Sequence, residues 1–166
     1  MPSLRLVVVG LIGAIAILPG AYAEEHKKYG AELEGFDYPY EVRRFQFTSQ
    51  GDEVFMAYMD VLPQQSNGRT AVLLHGRNFC AATWENSIHV LREVGYRVIA
   101  PDQIGFCKSS KPQRYQYSFQ QLARNTHALL QWLGITRAVV IGHSTGGVSR
   151  RFLSILCPRH RSRRYI

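Results

Sequence analysis

No aspartate or glutamate follows Asp102 in this chain of 166 residues. Chemistry that needs an acid later in the chain has no candidate among these residues. Cysteine is scarce: Cys80, Cys107 and Cys157 are the only three, too few for a disulfide-dense scaffold. No His, Cys, Asp or Glu spacing of the metal-chelating kind occurs, so neither a metal nor a cofactor is expected. There is no internal repeat and no low-complexity tract. Beyond the N-terminus, no apolar run is long enough to cross a membrane.

What is present suits one domain with a core, since 46% of the residues are hydrophobic. The net charge is +8, from 20 basic and 12 acidic residues. Six of the arginines lie beyond Val148 (150, 151, 159, 161, 163 and 164); without them the basic count is 20 − 6 = 14 against 12 acids. The charge belongs to one end of the chain and not to a designed face. No aromatic platform is interleaved with those arginines, so nucleic acid is not an expected partner.

The N-terminus has the layout of an export signal. Arg5 precedes the apolar run Leu6–Leu18, Pro19 and Gly20 break it, and Ala21-Tyr22-Ala23 fits a small-x-small cleavage site. Cleavage after Ala23 would leave a mature chain beginning at Glu24, secreted or periplasmic, with no stable membrane span. Export permits a disulfide. Cys80 and Cys107 both follow predicted strands and could meet at one end of a sheet, with Cys157 left over. Two free, semi-buried thiols are the other reading.

The pattern predicts strands over 40–48 and 53–62, joined by a turn at Gln50-Gly51-Asp52. Short apolar runs at 70–74, 97–100 and 138–141 suit strands covered on both faces. Between them, Trp84, Ile88, Leu91 and Val94 recur at helical spacing. A second helix starts at the N-cap Ser118 and ends at Gly134. A third follows Gly146, with Val148, Phe152, Ile155 and Leu156 on one face. Alternating strands and helices predict an α/β fold, a doubly wound and mostly parallel sheet. Ligands of such folds sit beyond the carboxyl ends of the strands. His75-Gly76, Asp102 and Gly142-His143-Ser144 collect there.

Gly142-His143-Ser144-Thr145-Gly146 fits the G-x-S-x-G turn that thrusts a serine out between a strand and a helix. Glycines two before and two after the serine let the backbone pass without a Cβ clash. The run Val139-Val140-Ile141 before it and the helix after it are the required context. The histidines read differently. His75 is expected to hydrogen-bond locally, the His143 side chain to point away from Ser144, and His26, His89 and His127 to lie at the surface.

Over about residues 40–147 the sequence resembles the α/β-hydrolase family. The resemblance is carried by Ala71-Val72-Leu73-Leu74-His75-Gly76, by Gly95-Tyr96-Arg97-Val98-Ile99-Ala100-Pro101-Asp102-Gln103-Ile104-Gly105-Phe106, and by the serine turn. It implies Ser144 as nucleophile and an oxyanion hole from the backbone N–H groups of Arg77 and Thr145. It implies a structural role for Asp102. Serine at 144 argues against the dehalogenase and epoxide-hydrolase branches, which place an aspartate there. The implied reaction is acyl transfer from a small-molecule ester or amide. An acyltransferase variant of the same fold, and a non-catalytic exported binding protein, are the competing readings.

The family's triad runs serine, acid, histidine along the chain. No acid follows here, and His160 is the only later histidine. A helix of about twelve residues carries the chain roughly 18 Å from the serine, and the residues left before His160 return at most about 14 Å. The reading is therefore a signal peptide (1–23), the N-terminal part of a hydrolase domain (24–147) and an aberrant basic tail (148–166). A premature stop or frameshift near Val148 would explain it. Acid and base would be absent and catalysis impaired. The strand 138–141 would be an exposed apolar edge, inviting self-association.

Overall fold

The computed structural model describes residues 28–156, the side chain of Leu156 excepted. The expected export signal (1–23) with its cleavage site at Ala23, and Cys157 and His160, lie outside the described residues. The strands are β1 (Val42–Ser49), β2 (Asp52–Val61), β3 (Thr70–Leu74), β4 (Arg97–Pro101) and β5 (Val139–Gly142). The helices are α1 (Glu85–Glu93), entered through a 3-10 turn at Ala81–Trp84, α2 (Phe119–Trp132) and α3 (Thr145–Leu156). The five strands form one sheet in the order β1-β2-β4-β3-β5.

The hairpin turns where the sequence predicts it, pairing Ser49 with Asp52 across Gln50-Gly51. β2 continues antiparallel onto β4, whereas β3 runs parallel to both β4 and β5. Parallel neighbours need a crossover, and α1 and α2 supply the two. The bidentate Arg97–Asp60 pair, at 2.9 and 2.7 Å, pins β4 to β2 with the carboxylate buried.

Alternation along the strands divides the core in two. Val72, Leu74 and Ile99 face one cluster with Ala123, Leu129 and Leu130 of α2 and Leu153 of α3. Leu73, Val98 and Ala100 face the other, with Ile88 of α1. Helices therefore cover both faces, as in a doubly wound sheet. The Ser118 hydroxyl caps α2, accepting from the Gln121 N–H at 3.1 Å.

One face is corrected. α3 turns Gly146, Ser149 and Leu153 inward, while Val148 and Ile155 are exposed. Spacing by three and four fits either stripe, and the close approach of Gly146 to β3 selects the one seen. The boundary read at Val148 falls inside this helix. Residues 148–156 continue it, and the Leu153 side chain is fully buried. β5 ends the sheet, so one side of Val139-Val140-Ile141-Gly142 has no strand partner among the described residues.

Candidate active site

β5 and α3 are joined by His143-Ser144 alone. A reversal that short forces Ser144 into the left-handed region, at φ 52°. For an L-residue this costs on the order of 1–2 kcal/mol, which the packing on either side must offset. The two glycines make the packing possible. A Cβ on Gly142 would stand 2.3 Å from the Gly146 carbonyl oxygen, and one on Gly146 would stand 2.1 Å from the Leu74 oxygen. Both obstacles are backbone, so neither can rotate away. Ser144 itself is exposed, and its hydroxyl bonds to no described residue.

The loop after β3 lies against this turn. A Cβ on Gly76 would reach Ser144 Cβ at 3.2 Å and His143 Nδ1 at 3.0 Å. Phe79 meets the His143 ring edge to face, centroids 5.2 Å apart. Arg77 sits between these contacts. Neither its N–H nor that of Thr145 has an acceptor among the described residues. Two unspent backbone donors thus flank the serine, one on the loop and one at the first turn of α3, where the helix field favours negative charge.

What holds the loop is a buried clasp. Cys80 and Cys107 form a disulfide, with Cα atoms 5.7 Å apart. Asp102, 1% exposed, accepts from the Ala81 N–H (2.7 Å), the Tyr38 hydroxyl (2.5 Å) and the Lys108 N–H (3.0 Å). The carboxylate replaces lost water with three donors, as a buried charge must. Burial and the neighbouring Asp102 charge push the Tyr38 phenol far above its usual range, keeping it a donor. Cys80, Asp102 and Cys107 bring potential ligand atoms within 4.8 Å of one another. The disulfide uses both sulfurs, so the trio is a fastening and not a metal site.

His75 is likewise committed. Its Nδ1 lies 2.8 Å from the Gly76 carbonyl, and its Nε2 accepts from the Gln103 N–H at 2.9 Å. That pattern fixes the neutral tautomer with the proton on Nδ1, and burial lowers its pKa. It has no nitrogen left for proton transfer. His143 is exposed beside Phe79, and His89 is exposed on α1.

Sequence reasoning places Ser144, Gly76, Gly142, Gly146, Arg77 and Thr145 in one region, and the structure brings them together there. It misses Tyr38 and Phe79. The Tyr38–Asp102 bond spans 64 positions and leaves no periodic trace. Phe79 could be suspected only as a large exposed aromatic beside a glycine loop.

The family model described as alpha/beta hydrolase fold matches residues 71–152, from β3 through most of α3. A curated relative, epoxide hydrolase A of Mycobacterium tuberculosis, is 38% identical over 46% of this chain and 24% of its own length. A putative non-heme chloroperoxidase of Synechocystis is 38% identical over 50% of this chain and 30% of its own. Among solved structures, a probable hydrolytic enzyme from Pseudomonas aeruginosa PAO1 is 63% identical, with a TM-score of 0.77 over 80% of this chain and 42% of that one. The chain therefore spans less than half the length of each of these relatives.

Proposed function

This chain belongs to the α/β-hydrolase fold family, of whose fold it carries part, and from that premise we propose that it supplies the nucleophile and oxyanion hole of a serine hydrolase of esters or amides. The observation that carries the proposal is Ser144 at φ 52°, at the mouth of α3, beside two unspent N–H donors. The hydroxyl attacks the scissile carbonyl, the alcohol or amine leaves, and water hydrolyses the acyl-serine ester. The Arg77 and Thr145 N–H groups stabilise the carbonyl oxygen as it becomes an anion.

Chemistry favours this over the epoxide opening that the name of the mycobacterial relative specifies. A serine oxygen opening an epoxide would form an ether, which water does not cleave, and turnover would stop. A serine ester is hydrolysed readily. Among residues 28–156, neither His75 nor Asp102 is free to take the serine proton: both His75 nitrogens are engaged and Asp102 is spent on three donors. We place acid and base on polypeptide beyond those residues.

The test is reconstitution. The chain is mixed with the part of the Pseudomonas aeruginosa PAO1 enzyme that it does not cover, and p-nitrophenyl acetate turnover is followed. Turnover should appear only on mixing and vanish with Ser144→Ala. Equal turnover with Ser144→Ala would remove the serine from the mechanism.

We also propose an exported protein, cleaved after Ala23. The Cys80–Cys107 disulfide supports an oxidising compartment. N-terminal sequencing of the mature chain should read Glu24 first; a retained Met1 would count against export.

A further inference from the structure

We infer that Gln103 is a positioning residue of the oxyanion hole: it fixes the peptide planes that aim the Arg77 N–H at the carbonyl under attack by Ser144. The inference rests on the reading of that N–H as an oxyanion donor and adds the group that sets its direction. Gln103 spends two donors on one residue. Its backbone N–H donates to His75 Nε2 at 2.9 Å, and its side-chain Nε2 donates to the His75 carbonyl at 3.0 Å. The reverse amide orientation would set Oε1 against that carbonyl oxygen, so the donor end must face it. Both residues are buried by the described residues themselves, His75 at 1% and Gln103 at 2% exposure.

From His75 the constraint reaches Arg77 in one step. With its Nε2 accepting, the ring carries its proton on Nδ1 and donates to the Gly76 carbonyl at 2.8 Å. The Phe79 N–H donates to the same oxygen at 3.1 Å. The Gly76 carbonyl and the Arg77 N–H share one planar trans peptide and point in opposite directions. Fixing the first fixes the second. The side-chain bond holds the preceding His75–Gly76 peptide in the same way, so both planes before Arg77 are set. Gln103 is anchored from behind. The Asp102 N–H donates to the Ala57 carbonyl of β2 at 2.9 Å, and the Ser109 hydroxyl donates to the Asp102 carbonyl at 2.6 Å. Because the Asp102 carboxylate also accepts from the Ala81 N–H, two consecutive residues after β4 hold both ends of the loop. Stability alone does not select glutamine here. Its Oε1 is buried with no partner among the described residues, a cost that an apolar side chain of similar length avoids.

Gln103→Met tests this, since it keeps the length of the side chain, removes the donor and leaves the backbone bond to His75. The chain would be reconstituted with the uncovered part of the Pseudomonas aeruginosa PAO1 enzyme. Its kcat for p-nitrophenyl acetate should fall about tenfold, less than the roughly 10²–10³ lost with a whole oxyanion donor, while KM stays within about twofold. Gln121→Met is the control for a purely structural role. It removes side-chain bonds to Ser49 of β1 and to Asn125, and should lower the melting temperature while leaving kcat unchanged. An unchanged kcat in Gln103→Met overturns the proposal, as does a loss no larger than the loss of folded protein. If Gln103→Met does not fold, the unmodified chain decides. Its Gln103 side-chain amide protons should exchange with solvent at least about a hundredfold more slowly than those of the exposed Gln64; equal rates overturn the proposal. Failure of the hydrolase reading looks different, as absent Ser144-dependent turnover on reconstitution. The chain alone then tests the geometry: Gln103→Met should displace the Arg77 amide resonance and leave that of Thr145 in place, and an unmoved Arg77 resonance overturns the proposal.

Discussion

Gly146 and Gly147 are adjacent on α3, and alanine should act on them in opposite directions. At Gly146 the added Cβ would stand 2.1 Å from the Leu74 oxygen and 2.7 Å from the His75 oxygen, both backbone. Ordinary contact begins near 3.4 Å, so α3 must retreat from β3 by about an ångström. That retreat loosens Leu153, which is fully buried against the sheet. Overpacking of this kind typically costs about 1–3 kcal/mol, and a helix displaced from its sheet belongs at the upper end. At Gly147 the nearest atom would be the Gly142 oxygen at 3.5 Å, which is ordinary contact. There alanine removes glycine's excess backbone freedom and should stabilise by about 0.5–1 kcal/mol. Urea unfolding followed by circular dichroism reads both. The expected gap between the two variants is about 2–4 kcal/mol. Equal stabilities, or a less stable Gly147→Ala, would refute the claim that the turn needs glycine at 146 for close approach of the backbone.

Other outcomes follow from the same contacts. Burial depresses the His75 pKa in the folded state, so as pH falls below about 6.5 the unfolded chain takes the proton first. Stability should be full above that value and fall with acidification, by up to about 1.4 kcal/mol per pH unit; His75→Gln should flatten the slope, and an unchanged slope would contradict it. Opening the Cys80–Cys107 bridge, with its sequence separation of 27, should cost about 3.5 kcal/mol by loop-closure entropy. Hydrogen exchange should then quicken over 76–81 before β3 and β4, and uniform quickening would contradict the clasp. The apolar edge at β5, unpaired among the described residues, predicts association that grows with concentration. Sedimentation of this polypeptide as a monomer at all concentrations would remove that expectation.

The serine turn was legible because its demands are local. A strand, a two-residue reversal and a helix leave glycine as the only residue that fits at 142 and 146, and the sequence has glycine there. The short apolar runs were legible as strands because covered strands lack polar alternation. Strand order was not, since β4 inserts between β2 and β3 through contacts of long sequence separation. The face of α3 was misread for a similar reason. Val148 and Ile155 continue the apolar spacing yet face outward, whereas Gly146, Ser149 and Leu153 face inward with Phe152 packed partly buried beside them, and the seating of Gly146 on Leu74 decides the face. The two cysteines could be placed at one end of the sheet, but not joined, because pairing depends on how the loops after β3 and β4 are held by Asp102.

The central claim concerns one hydroxyl, and a covalent probe addresses it directly. The reconstituted protein would be treated with a neutral alkyl fluorophosphonate, digested and mapped by mass spectrometry. The account predicts a single stoichiometric adduct on the peptide containing Ser144, absent from Ser144→Ala. An unmodified Ser144 in a preparation that still hydrolyses ester, or an adduct on another residue, would contradict it.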